Sequence, residues 1–255
     1  MEPLRTPNAL PSPASAPPSC IGIEQSPSHV SVRFADNRLP ALSLTQTRSA
    51  SDIAPLFAES WGDVVWSDAV TLTCDYLIAN ASVVRGLDVI ELGACHGVPG
   101  MVASLLGASK VLVTDLHADA ARRALHENAT ALQRGNISAM DLDWGGGAPL
   151  GAFDVIVAVE CVSIDVYGRA SLDKLARQCA LCSKSGARLI LCSRRRSGDG
   201  LDVLLAALAS MQWRCQQPSL VTAQGVELHT LSLCTSMANL DTNGSRVAPP
   251  QGLHI

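Results

Sequence analysis

Apolar and polar positions first alternate in "HVSVRFA" (residues 29–35) and "ALSLTQT" (41–47), with "DNRLP" between them. That period of two predicts a small hairpin leading into a domain. The preceding residues, 1 to about 27, are rich in Pro, Ser and Ala and show no apolar period, so burial there cannot offset the entropy of ordering. They are expected to form a disordered tail. Past a loop through Ser60, "VVWSDAVTLTCDYLIANA" sets Val65, Ala69, Leu72 and Tyr76 at helical spacing.

From residue 87 the pattern alternates between strand and helix. "LDVIEL", "KVLVTDL", "ISAMDLD", "FDVIVAV" and "ARLILCS" read as strands. "VPGMVASLLG", "HADAARRALHENATALQR", "SLDKLARQCALCSK" and "GLDVLLAALASM" read as the intervening helices, and "WRCQQ" and "ELHTLSLC" as closing strands. Such alternation predicts an α/β domain with a doubly wound, mostly parallel sheet joined by right-handed crossovers. The domain is expected over residues 28–236, with a second disordered tail over 237–255.

Composition supports this class. Hydrophobic residues make up 47% of the 255 and aromatic ones 4%, so the interior rests on Ala, Val, Leu and Ile, as in a parallel sheet covered by helices. A formal net charge of −4 offers no basic stripe for nucleic acid. The 9 cysteines are scattered and odd in number, which fits buried thiols in a reducing compartment. Cys179 and Cys182 form a CxxC, yet they continue the helical stripe of Leu172, Leu175 and Ala176, and no second ligand pair stands at zinc spacing. No metal is expected. With no apolar run near the ~20 residues of a membrane span and no secretory signal, the expectation is a cytoplasmic monomer that engages no membrane.

Chemistry concentrates at the strand ends, where ligands of open α/β sheets bind. Glu91, Asp115, Asp143 and Glu160 all fall there, and four ionised groups at one edge repel one another unless a cation relieves them. The turn in "VIELGACHGVPGM" (89–101) has Gly93, Gly97 and Gly100, with Cys95 where a dinucleotide turn wants its second glycine. A P-loop would need Lys and Ser/Thr after the last glycine, so neither phosphate site is supported. S-adenosylmethionine fits better: it lacks phosphates, carries a sulfonium cation and has ribose hydroxyls for an acid to hold. Asp115 ends the second strand, where a ribose-binding acid belongs.

With these residues the chain resembles the seven-β-strand protein methyltransferases, in the methyltransferase-like group that includes lysine methyltransferases of heat-shock chaperones, valosin-containing protein, elongation factors and calmodulin. The resemblance runs from about Val30 to Cys234 and rests on "VVWSDA", "ELGACHGVPG", "VTDL", "LDWG" and "FDVIVAVECVS" in that order. It implies a seven-strand Rossmann-like sheet behind an N-terminal hairpin, and transfer of a methyl group from S-adenosylmethionine to a lysine of a protein substrate such as a chaperone, an ATPase or a translation factor. It also implies that Trp66, Glu91 and the Gly93, Ala94, Cys95 turn meet the cofactor, that Asp115 binds the ribose, that Trp144 lies by the adenine and that Val159 lines the pocket. Glu160 is the catalytic candidate, positioning the amine or taking up its proton through water.

The chain departs from the family pattern at Cys95, which replaces a glycine, and at the DxxY motif, which reads Glu160, Cys161, Val162, Ser163. Ser163 is too short to replace the aromatic wall, and Tyr167 would need an unusual chain path to do so. The basic "SRRRSG" at 193–198 is expected to be a solvated loop and His96 a surface hydrogen-bonding residue. Three other readings stay open: a degenerate methyltransferase fold that binds cofactor or partners without turnover, an NAD-dependent dehydrogenase and a nucleic-acid methyltransferase. "GACHG" speaks against the second; the charge balance and the lack of a DPPY-like motif speak against the third.

Overall fold

The computed structural model describes residues 19–46, 65–133, 135–145, 151–196, 198–216 and 219–234. The chain opens with a three-stranded antiparallel sheet of β1 (Ile21–Gln25), β2 (His29–Phe34) and β3 (Leu42–Thr45). β2 and β3 are the expected hairpin. β1 corrects the expected tail, which was drawn through residue 27: Ile21 pairs with Phe34 and Ile23 with Val32, so two isoleucines two apart sustain a strand inside a Pro/Ser-rich context. Residues 1–18 and 235–255, which hold most of both expected tails, and Ser60 lie outside the described residues.

α1 (Ser67–Ala79) follows, then the alternation predicted above: β4 (Asp88–Leu92), α2 (Val98–Leu105), β5 (Lys110–Asp115), α3 (Asp119–Glu127), β6 (Ile137–Asp141) and β7 (Phe153–Val159). A single helical turn, α4 (Ile164–Tyr167), precedes α5 (Arg169–Leu181), β8 (Ser183–Arg194), α6 (Leu201–Ser210), β9 (Trp213–Cys215), β10 (Leu220–Val221) and β11 (Val226–Leu233). The sheet runs β10-β11-β8-β7-β4-β5-β6, and β9 pairs with β11. β8, β7, β4, β5 and β6 are mutually parallel, and β11 runs antiparallel beside β8. The sheet thus has eight strands rather than seven, because the chain returning from α6 contributes the short β9 and β10 in addition to β11.

Alternation along the strands feeds two cores. On β4, β5 and β7, Val89, Val111, Val113, Val155 and Val157 pack on one face with residues of α1, α2 and α3. Ile90, Leu92, Leu112, Ile156 and Ala158 pack on the other with α5 and α6. β-branched residues dominate these strands, as befits a sheet buried on both faces. α3 stops at Glu127, seven residues short of the helical pattern, and the side-chain amide of the next residue, Asn128, exchanges hydrogen bonds with the Ser43 backbone at 2.9 and 2.7 Å, binding the N-terminal sheet to the domain. Among the described residues no helix is long and apolar enough to cross a membrane.

From the central β4 the chain moves outward to β5 and β6, then crosses back to β7 on the other side of β4. That reversal leaves a crevice beyond the carboxyl ends of β4 and β7, where an open α/β sheet binds its ligand.

Candidate active site

A cavity of about 480 Å³ occupies that crevice, within the size range of small-molecule sites. Trp66, Glu91, Gly93, Ala94, Cys95, Asp115, Trp144, Val159 and Glu160, the residues singled out from sequence, all line it. So does Asp143, and the four strand-end acids therefore converge on one place.

The turn after β4 is shaped by steric necessity. Gly93 has φ +64°, and a Cβ there would stand 2.7 Å from Cys161 Sγ and 3.0 Å from the Trp144 ring, so only hydrogen fits between them. Cys95 also takes a left-handed backbone, φ +54°, although it carries a side chain. Its N–H donates to Asp115 Oδ2 at 2.8 Å and its Sγ lies 2.9 Å from His96 Nδ1, while the far side of that imidazole, Nε2, lies 3.2 Å from the Thr45 carbonyl. A cysteine thus replaces glycine without opening the turn. His96 is 1% exposed, which corrects its reading as a surface residue: it joins the turn to the end of β3.

The acids do not form a ring of four equal charges. Glu91 is wholly buried and accepts the Gly100 N–H at 2.7 Å, which fixes the first turn of α2. Burial pushes its carboxyl up to about 8, against the pull of the Gly100 N–H and with help from neighbouring Asp115, so near neutral pH it is mostly protonated and adds little to the repulsion. Burial also raises Asp115, while backbone N–H groups led by that of Cys95 oppose the shift. Asp143 accepts the Gly145 N–H at 3.0 Å within its own turn. Local hydrogen bonding and neutralisation therefore relieve much of the strain that four ionised carboxylates would create.

Across the cavity, Trp144 packs against Tyr167, with ring centroids 5.9 Å apart and planes at 57°. The chain path judged unusual from sequence is a single turn of helix: α4 carries Tyr167 back to the cavity, and burial drives its phenol well above the ordinary range. Four residues are too short for an apolar period to have signalled this turn. Lys174, on the exposed side of α5, and Ser171 complete this wall and were not anticipated.

At the end of β7, Glu160 adopts φ +57° and is only 9% exposed. Its Oε1 accepts the Arg194 N–H at 2.8 Å and its Oε2 pairs with Arg196 Nη1 at 2.7 Å. Arg196 also stands over the Trp66 ring, 5.5 Å from its centroid. The "SRRRSG" segment is accordingly not a solvated loop of free charge: Arg194 pairs with Asp68, and Arg195 with Glu227 and Asp202. Cys179 and Cys182 are buried as expected, and Cys182 Sγ donates to the Gln178 carbonyl.

This donor set suits an adenosine-bearing ligand that lacks phosphate: a carboxylate at the end of β5, an indole and a phenol facing one wall, and a close backbone approach at Gly93. A family model described as lysine methyltransferase matches residues 50–205. Protein N-lysine methyltransferase METTL21A of Danio rerio is 31% identical over 182 residues, covering 66% of this chain and 81% of that protein. The METTL21A of Mus musculus is 33% identical over 143 residues, and the chain spans 62% of its length. A solved chain from Streptococcus mutans described as a SAM-dependent methyltransferase shares the fold, with a TM-score of 0.58 at 14% identity over 82% of this chain and 56% of that one. The buried turn at Gly93, the strand-end acids and the breadth of these matches lead to one conclusion: this chain belongs to the lysine methyltransferase family.

Proposed function

We propose that the chain is an S-adenosylmethionine-dependent methyltransferase acting on a lysine side chain of a protein. The observation that carries this reading is the convergence of Gly93, Asp115, Trp144 and Glu160 on one cavity at the switch point of the sheet. The names of the METTL21A relatives support a protein lysine as acceptor.

When bound, the cofactor supplies an electrophilic methyl group on a sulfonium centre. Asp115 would hold the ribose hydroxyls, and its bond to the Cys95 N–H fixes the carboxylate at the cavity wall. Trp144 and Tyr167 would hold the adenine, Val159 would line the same pocket, and the turn at Gly93 and Ala94 would let the backbone approach. Glu160 would face the acceptor, and so would Trp66, which the resemblance assigns to the cofactor but whose ring shares the Arg196 guanidinium with Glu160. A lysine has an ordinary pKa near ~10.4 and must shed its proton before attack, which desolvation and neighbouring positive charge both favour. Holding the amine in line with the methyl group supplies much of the remaining rate. Glu160, fixed at Oε1 by the Arg194 N–H, positions that amine through Oε2.

Transfer of labelled methyl from S-adenosylmethionine to proteins of a cell lysate tests this. Glu160→Gln is expected to reduce labelling at least about tenfold, the scale of losing one charged hydrogen bond. Equal labelling by both proteins removes Glu160 from the reaction. No labelling by the wild type, in a lysate from cells lacking the protein, removes the activity.

A further inference from the structure

The side chain on Glu160 is itself a cation held as an organic cation is held. Arg196 Nη1 lies 2.7 Å from Glu160 Oε2, and its guanidinium carbon lies 5.5 Å from the Trp66 centroid. A carboxylate and an indole face, both lining the cavity, thus make a two-sided clamp for positive charge. Glu160 does not depend on Arg196 for its position: Oε1 is tied to the Arg194 backbone, and the residue's left-handed backbone sets its direction.

The three arginines of this loop differ in kind. Arg194 bridges to Asp68 on α1, and Arg195 is bound by Glu227 and Asp202. Arg196, among the described residues, has Glu160 as its one carboxylate partner for the side chain, while its backbone N–H is held separately by Asp199 at 2.8 Å. Its side chain is 37% exposed against 6% for Glu160, so it reaches the clamp from the solvent side and can leave without moving the backbone. A single carboxylate oxygen does not neutralise two cations, and a second one brought beside the guanidinium is repelled.

We infer that the Trp66–Glu160 clamp is the seat of the acceptor's primary ammonium group, and that Arg196 is a built-in competitor which must swing out before that group docks. This rests on the methyltransferase reading above and adds the acceptor subsite and the residue that gates it. It makes Arg196 a specificity determinant: only an acceptor whose surrounding contacts outweigh the displaced ion pair gains entry.

n-Butylammonium, which reproduces the lysine side chain, and glycinamide, which reproduces a chain amino terminus, are titrated by saturation-transfer NMR into the full chain with S-adenosylhomocysteine present. Arg196→Gln is expected to bind butylammonium about tenfold more tightly than wild type, since the competing like charge is gone from the clamp. Arg196→Met, which keeps an apolar stem over Trp66, is expected to do the same and serves if the glutamine variant does not fold. Adding Glu160→Gln to either should abolish the gain. A gain for glycinamide alone overturns the lysine assignment, and affinities unchanged by both variants overturn the clamp. Calorimetry with S-adenosylhomocysteine separates the two levels: if wild type fails to bind it, the methyltransferase reading falls, whereas normal binding without tighter ammonium affinity rejects this inference alone.

Discussion

The β4–β5 end of the cavity and the β7 end are made of different material. At the first, main-chain groups do the work: Glu91 holds the Gly100 N–H, Asp115 holds the Cys95 N–H, and Gly93 leaves no room for a side chain. At the second, side chains dominate: Glu160 shares its carboxylate with Arg196, and the aromatic wall comes from one turn of helix carrying Tyr167. Backbone geometry is common to many sequences and resists change, whereas side-chain pairs can be exchanged. The contrast separates a half built from main-chain geometry from a half built from side-chain pairs, and the second can vary more freely from one sequence to another.

The harshest challenge to that contrast is Gly93→Ala. Its methyl group would press on Cys161 and Trp144 from a backbone that favours glycine, so affinity for S-adenosylhomocysteine should fall about tenfold to a hundredfold, matching the roughly 1–3 kcal/mol of overpacking. Calorimetry showing wild-type affinity would mean the turn is not rigid. Tyr167→Leu probes the other half more gently. Losing the ring contact with Trp144 should weaken the same ligand only several-fold, in keeping with roughly 0.5–1.5 kcal/mol for an aromatic pair. A larger loss than that of Gly93→Ala would reverse the ranking of the two ends.

Glu91→Gln gives the smallest effect, and its signature is pH dependence. The folded carboxyl titrates near 8 and an unfolded one near 4.5, so between these values the unfolded chain binds fewer protons and stability falls as pH rises. Glutamine accepts the Gly100 hydrogen bond without titrating. Melting curves should therefore show the variant gaining on wild type from pH 5 to pH 8, and a gap that does not vary with pH would show that Glu91 is ionised in the fold.

Most of this architecture was legible along the chain. Valine-rich strands at regular intervals, helical stripes between them and acids at strand ends follow from side-chain periodicity and need no partner to be recognised. β1 escaped because two isoleucines carry too little signal against prolines, and α4 because four residues hold no period. The early end of α3 escaped because the apolar period runs on past it, and the bond from Asn128 to Ser43 beside it joins residues 85 positions apart. The four strand-end acids could be named from type and position and the remaining wall residues from the family resemblance, yet the sequence was misleading about charge: Glu91 counts as an ion on paper, and burial pushes its carboxyl up to about 8 in the fold.

By itself, the sequence determined the layer structure, the strand ends where the cavity lies and the acids that meet there, because these depend on local pattern and on the topology it permits. Only the tertiary structure decided that burial raises the Glu91 carboxyl, that Tyr167 returns to the wall and that Arg196 sits on Glu160 over Trp66. Burial and contact between residues far apart in the chain set those outcomes, and neither quantity exists until the chain has folded.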